Sequence, residues 1–462
     1  MDAQLDTYLR DAEPRQLAEL QEWLRIPSIS TLSEHKKDVR RAAEWLVEML
    51  RQAGLENAAI IDTDTQPMVY AEWLHAGPER PTVLIYGHFD VQPVDPLDQW
   101  QTPPFEPTVR GDNLFARGAS DDKGQTFIHV KAVEALMRTA GRLPVNVKFL
   151  IEGEEESGSV AINKYVPEHA AELAADAVLI SDTHILAPDR PAILYGLRGM
   201  WTAEITVTGP SHDLHSGSYG GAIHNPNQAL AEILAALHDS SGRITVPGFY
   251  DDVRTLSENE RATLAQVPYG DKEILADSGA PAVYGEPEYT VVERTGARPT
   301  LEINGMWGGF TGEGFKTVIP SQAFAKISTR LVPYQDPARI SELVTAYIKQ
   351  LAPPTVHVDV RDLRGGGAHA FLTPYDTPVI QAASRAYTQV FGTEPIFTIE
   401  GGGIPVVNIF QDVLAAPIVL MGFGLPDDNL HAPNEKFYLP NFYKGIRTSI
   451  AFLQEMAALA KV

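Results

Sequence analysis

Three apolar runs in this chain each stop at acidic or imidazole side chains, and no other feature constrains the fold as tightly. "TVLIYG" (82–87) leads into His88-Phe89-Asp90, "VKFLI" (147–151) into Glu154-Glu155-Glu156, and "VLIS" (178–181) into Asp182. Continuous β-branched and aliphatic runs of this length read as strands covered on both faces. Side chains alternate along a strand, so His88 and Asp90 share a face at the end of theirs. Helical periodicity over 15–25 and 39–53, and a helix expected near 124–139, alternate with these runs and with shorter strand-like ones, "AAIIDT" and "MVYAEWL". That alternation predicts an α/β layer with several parallel strands, a layout that binds ligands at the carboxyl ends of its strands.

After Arg198 the texture changes. "MWTAEITVTGP", "AFAKISTRLVP" and "TVHVDVRDL" alternate like half-exposed strands, and "NQALAEILAALH" and "PARISELVTAYIKQLA" read as the helices between them. The fold expected is therefore α/β: a mixed, mostly parallel sheet flanked by helices, with a smaller α+β domain and its antiparallel sheet inserted. The catalytic domain is expected over 1–197 and 375–462, the inserted lid or dimerisation domain over 198–374, and 270–300 is the least readable stretch.

A formal charge of −23 over 462 residues argues against nucleic acid and anionic membrane surfaces as partners. No run reaches the ~18 apolar residues of a spanning helix. The acidic, amphipathic N-terminal stretch lacks the basic and apolar regions of a signal peptide, so a cytoplasmic location is expected. With no cysteine, any metal must be held by His, Asp and Glu.

Taken alone, His88 and Asp90 read as a surface histidine beside a turn aspartate. Asp121-Asp122 sits just before a helix, where an aspartate serves as N-cap. Glu154, Glu155 and Glu156 read as a solvated acidic turn. It is the recurrence that points elsewhere. Adjacent carboxylates at the end of a buried strand repel one another, and a cation relieves that best. Four strand ends or loops, the last carrying His431 in "GLPDDNLHAPNE", bring His or carboxylate to what can be one rim. Divalent ions take imidazole and carboxylate ligands, and a two-metal centre needs a carboxylate bridging ions ~3.5–4 Å apart.

In order along the chain, "YGHFDVQP", "ARGASDDKG", "EGEEESGS", "ISD", "DLHSGSYGG", "KTVIP", "EGGGIP" and "LHAPNE" resemble the motif set of the M20 metallopeptidases, and within them the cytosolic non-specific dipeptidase or carnosinase-like branch. The resemblance runs from about residue 20 to the C-terminus. It implies a hydrolase with two divalent ions per subunit, zinc or alternatively manganese, that cleaves dipeptides carrying a free C-terminal carboxylate. It implies His88, Asp121, Glu156, Asp182 and His431 as ligands, with Asp121 bridging, Asp90 orienting His88, and Glu155 as general base toward a water shared by the ions. It further implies His215 reaching a partner subunit's site to stabilise an oxyanion, Arg330 pairing with the substrate carboxylate, Thr317 and Gly403 as substrate contacts, and a homodimer formed through the inserted domain.

Two departures fall in substrate recognition. Gly403 stands where the branch often has serine, and "LRGGGAH" leaves either Arg364 or His369 in the place of its usual histidine. An N-acyl amino acid deacylase is the nearest rival, and a non-catalytic binding protein on the same scaffold is the more distant one. A metallophosphoesterase has no use for Glu155 and lacks phosphate-clamping bases here. His129 and His224 are read as structural, and the glycine runs at 365–367 and 401–403 do not fit a phosphate cradle.

Overall fold

The computed structural model describes residues 3–363, 365, 367–402 and 404–459. It separates into two compact units, one of Met1–Tyr195, Thr373–Thr398 and Pro405–Val462 and one of Gly196–Leu372 with Ile399–Ile404. The strands that carry them are β1 (Glu56–Ile61), β2 (Met68–Trp73), β3 (Thr82–His88), β4 (Asn146–Glu152), β5 (Ala177–Ile180), β6 (Ala192–Leu197), β7 (Gly199–Thr208), β8 (Thr300–Gly308), β9 (Gln322–Leu331), β10 (His357–Asp362) and β11 (Ile418–Leu420).

In the first unit the order is β1-β2-β4-β3-β5-β11-β6. β3 runs parallel to both β4 and β5, and β11 runs parallel to β5, while β1, β2 and β6 join antiparallel. Every residue of β3, β4 and β5 is buried, as continuous apolar runs covered on both faces require. Helices Lys36–Gln52, Lys123–Ala140, Pro378–Phe391 and Leu439–Met456 contribute Leu46, Phe127, Ile380 and Phe442 to one core with Ile85 and Phe149 of the sheet. Because β3 and β4 are in register from Thr82↔Asn146 to His88↔Glu152, they end at the same level. His88 and the glutamates after β4 are therefore neighbours by construction.

The first helix departs from the expected 15–25: it spans Ala3–Leu24 and runs through Pro14. Leu5, Leu9, Ala12, Gln16, Leu20 and Trp23 form one buried stripe at helical spacing across the proline. Burying that stripe offsets the one hydrogen bond a proline removes. Gly54 does close the second helix, at φ +94°, a conformation that favours glycine.

The second unit holds an antiparallel sheet of order β8-β9-β7-β10. β7 alternates buried and half-buried along its whole length. Its Trp201, Ala203, Ile205 and Val207 pack on Leu230 and Ile233 of helix Pro226–Ala235 and on Ile340, Val344 and Ile348 of helix Pro337–Leu351. The stretch that was hardest to read holds two short helices, Asp271–Ser278 and Val291–Gly296. No described helix is long and apolar enough to cross a membrane.

Candidate metal centre

His88 closes β3 fully buried. Its Nδ1 lies 3.1 Å from the main-chain oxygen of Asp90 and 3.5 Å from Asp90 Oδ1. Donation from Nδ1 leaves Nε2 as the lone-pair nitrogen. That Nε2 makes no hydrogen bond, yet Asp121 Oδ1 is 3.0 Å away and Asp182 Oδ2 3.9 Å away. A lone pair facing carboxylate oxygens at this range is repulsive unless a proton or a cation lies between them. The Asp90 carboxylate accepts the main-chain N–H groups of Glu155 and Glu156, each at 3.1 Å. It thereby pins the single turn Glu155–Ser157 to the end of β3.

Asp121 presents its two oxygens in different directions. Oδ1 faces His88, and Oδ2 lies 2.9 Å from His431 Nε2, which is itself 3.4 Å from Glu156 Oε2. Two donor triads result, His88–Asp121–Asp182 and Asp121–Glu156–His431, each with its atoms within 4.8 Å of one another. They share only Asp121. Two imidazoles and three carboxylates without a thiolate suit divalent ions of hard or borderline character. His431 sits at φ +59°, a left-handed conformation that a non-glycine residue adopts at a cost of ~1 kcal/mol or more and that concentrates at functional sites.

Side chains around the triads hold them in place. Gln92 Nε2 donates to Glu156 Oε2 at 2.7 Å. Asp122, at the N-cap position of helix Lys123–Ala140, makes no cap hydrogen bond; its Oδ2 accepts instead from the main-chain N–H of His88 and from Thr126 Oγ1. Glu435 is fully buried. Its Oε1 accepts from the N–H groups of Ser120 (3.0 Å) and Asp121 (3.1 Å), and its Oε2 from Gly118 N–H (3.0 Å) and Arg117 Nη1 (2.7 Å). Four residues beyond His431, this carboxylate clamps the Asp121 loop to the His431 loop. Sequence reasoning quoted Glu435 within "LHAPNE" but gave it no role, because its partners lie more than three hundred positions away.

The electrostatics follow from packing acids under little water. Burial, then the charge of Asp121, pushes the Glu156 carboxyl up to about 8 and Asp182 well above the usual carboxylate range. Burial also raises Glu155. Burial would raise Asp121 too, but the His431 hydrogen bond and the neighbouring His88 imidazole hold it far below its ordinary value. The Asp121 hydrogen bond lifts His431 to about 9. Without a cation these acids stay together only by taking up protons, which is the behaviour expected of a shell built around positive charge.

The substrate-side candidates lie in the second unit. His215 and Thr317 are brought together: the short ladder Leu214↔Ile319, His215↔Val318 sets them side by side, both exposed. His215 Nδ1 accepts the N–H of Gly217 at 3.0 Å. Arg330 stands apart from them on β9, in register with Thr300 and Met200. His369 is exposed, next to Ala368, which bridges to Met200. Gly403 and Arg364 lie outside the described residues. His129 has structural partners, Ser181 Oγ at 2.7 Å and Ser449 Oγ at 2.9 Å, and burial drops its pKa to about 3. His224 faces Thr355 Oγ1 at 2.7 Å.

Comparison with known proteins agrees with this geometry. The family described as Peptidase family M20/M25/M40 matches residues 84–455. The Cys-Gly metallodipeptidase DUG1 of Saccharomyces cerevisiae is 32% identical over 461 residues, covering 96% of this chain and 95% of its own. The crystal structure of human carnosine dipeptidase 1 superposes with a TM-score of 0.78 at 33% identity, covering 99% and 100% of the two chains. The M20 family metallo-carboxypeptidase Sso-CP2 from Sulfolobus solfataricus superposes with a TM-score of 0.80 at 34% identity over the same shares. Motif order, donor triads and near full-length similarity converge, and the chain belongs to peptidase family M20/M25/M40.

Proposed function

We propose that the chain is a dinuclear metal-dependent dipeptidase that hydrolyses the amide bond of dipeptides with a free C-terminal carboxylate. The observation that carries this is Asp121, whose two oxygens each complete a separate donor triad. Its relatives are named as dipeptidases and a carboxypeptidase, which supports a short substrate with a free carboxyl end. His88 and Asp182 would hold one ion, Glu156 and His431 the other, with Asp121 contributing an oxygen to each. Zinc suits this ligand set, and manganese is the alternative that a carboxylate-rich shell accepts. Such ions would supply Lewis-acid polarisation of the scissile carbonyl and a more acidic attacking water.

Every other step belongs to side chains. Glu155 takes the water's proton and returns it to the leaving amine, and burial places its carboxyl nearer the working pH of a general base. Asp90 keeps Glu155, Glu156 and His88 in fixed relation through the hydrogen bonds already described. His215 donates to the developing oxyanion in a partner's site, Thr317 and Gly403 contact the substrate, and Arg330 pairs with its carboxylate.

We further propose that the 198–374 region is the lid and the dimer contact. β8 is an edge strand, and Ile303, Met306 and Trp307 on it are 45%, 49% and 41% exposed, an apolar edge that a second copy can cover. The test is elemental analysis of the purified protein together with turnover of dipeptides and of N-acetyl and N-succinyl amino acids, before and after chelation. Bound metal near two per subunit and chelator-sensitive dipeptide turnover are expected. Preference for the acyl amino acids would make the protein a deacylase instead.

A further inference from the structure

The second unit carries a half-open cavity of about 610 Å³, with Arg198, Arg294, Arg298, Arg330, Glu286 and Glu302 in its lining. Its four guanidiniums are not equivalent. Arg298 forks onto Glu286, with Nε at 2.7 Å and Nη2 at 2.9 Å from the two carboxylate oxygens. Arg294 donates to the carbonyls of Glu286 and Tyr284. Arg198 and Arg330, by contrast, form no ion pair among the described residues.

Arg198 is held in place without being satisfied. Its Nη1 donates to the Arg298 carbonyl at 3.3 Å, while its Nε is buried and makes no hydrogen bond. Its main-chain N–H bonds the carbonyl of Glu400 at 3.2 Å, and its Nη2 lies over Gly401 so closely that a Cβ there would be 2.3 Å away. Glycine at 401 is thus what lets the guanidinium come this close to the chain. Arg330 stands across the β7–β9 ladder, where Leu331 pairs with Gly199 and Arg330 with Met200. Burial, and then the charge of Arg330, brings the Arg198 pKa down to about 10. Two like charges close together on a partly dehydrated wall repel each other, and an anion between them removes that cost. A carboxylate has two oxygens to offer, one to each fork.

We propose that Arg198 and Arg330 form a two-guanidinium clamp that takes the carboxylate of the substrate, so that Arg198, and not Arg330 alone, makes a free C-terminal carboxyl group a requirement. The clamp rests on the dipeptidase reading for the identity of its ligand. Its chemistry can nevertheless be tested apart from turnover.

In the first arm, kcat/KM is measured for alanylalanine and for alanylalanine amide with the wild type, Arg198→Gln and Arg198→Lys. The acid-to-amide ratio is expected to fall about 10- to 100-fold in Arg198→Gln, the loss typical of a charged hydrogen-bond partner, and to recover in part in Arg198→Lys. An unchanged ratio, including equal loss on both substrates from a merely structural defect, overturns the proposal. In the second arm, calorimetry follows N-acetylalanine and its amide binding to the wild type and to Arg198→Gln. Selective binding of the acid by the wild type, weakened in the variant, upholds the clamp even if no dipeptide is ever cleaved, in which case only the dipeptidase reading falls. Binding of acid and amide alike, or of neither, overturns the clamp whatever the activity.

Discussion

Replacing Glu435 with glutamine separates the two loops of the metal centre without touching a ligand. The glutamine keeps the volume and one acceptor oxygen. If that oxygen stays with Ser120 and Asp121, the new NH₂ group points at the Gly118 N–H and at Arg117 Nη1, two donors that Glu435 now satisfies at 3.0 and 2.7 Å. Arg117 is 1% exposed and Glu435 fully buried, so the variant leaves a buried guanidinium without its charge partner. Breaking such a pair from one side costs about 3–5 kcal/mol, a large share of the ~5–15 kcal/mol that holds a domain folded. The same change frees the Asp121 loop from the His431 loop, and loss of a residue that orients metal ligands lowers metal affinity by about 10- to 100-fold. The assay is denaturant unfolding of chelated and metal-loaded protein together with titration against a competing chelator. Arg117→Gln is the control, because it leaves the Glu435 hydrogen bonds to Gly118, Ser120 and Asp121 in place; it is expected to lower stability comparably but metal affinity far less. If Glu435→Gln unfolds like the wild type and binds metal as tightly, or if both variants lose metal equally, Glu435 is not the clamp described.

Glu155→Gln is expected to retain metal by elemental analysis while kcat falls by about 10²- to 10⁴-fold, the range of general base catalysis; turnover close to wild type would remove its assigned role. His215→Ala should lower kcat with metal retained, and Met306→Glu with Ile303→Lys should shift sedimentation toward the monomer and reduce kcat with it. A fully active monomer would refute the cross-subunit assignment. Burial would raise Glu134, but Arg15 and Lys131 bring its carboxyl down to about 2. A depressed carboxyl contributes stability above its unfolded pKa and loses it as pH falls through the folded one. About 3 kcal/mol should therefore vanish between pH 4.5 and 2 in the wild type but not in Glu134→Gln, by denaturant unfolding at each pH.

The strand ends that carry the candidate ligands were legible because two local signals coincide there. A run such as Thr82–Tyr86 can only be a strand buried on both faces, and a histidine or acid at its end has no place in the apolar layer. The order of layers followed from the same runs, and so did the antiparallel second sheet, since the alternation in Gly199–Thr208 matches a sheet with one covered face. Helix Lys123–Ala140 is buried on nearly all sides, which erases the helical period that marks an amphipathic helix. The Asp121-Asp122 pair was legible as a helix start, and Asp122 does occupy the N-cap position, but its side chain serves the His88 backbone instead of the helix.

What the sequence hid were the side chains that act through distant partners. Glu435 takes its meaning from Arg117, Gly118, Ser120 and Asp121, and Arg198 from Arg330 and Gly401, and no spacing rule connects such pairs. Both are charged groups held in protein with few alternatives, so each makes its neighbours' geometry stiff. That stiffness is the physical common ground between them. Glu435 fixes where Asp121 can present its two oxygens, and Arg198 fixes where a carboxylate can lie beside Arg330. A centre whose proposed ligands come from five separate strand ends and loops tolerates little drift in any of them, since a displacement of an ångström or less is enough to spoil ligation or attack. The buried charges outside the ligand set are therefore where substitutions should divide metal retention from turnover most sharply.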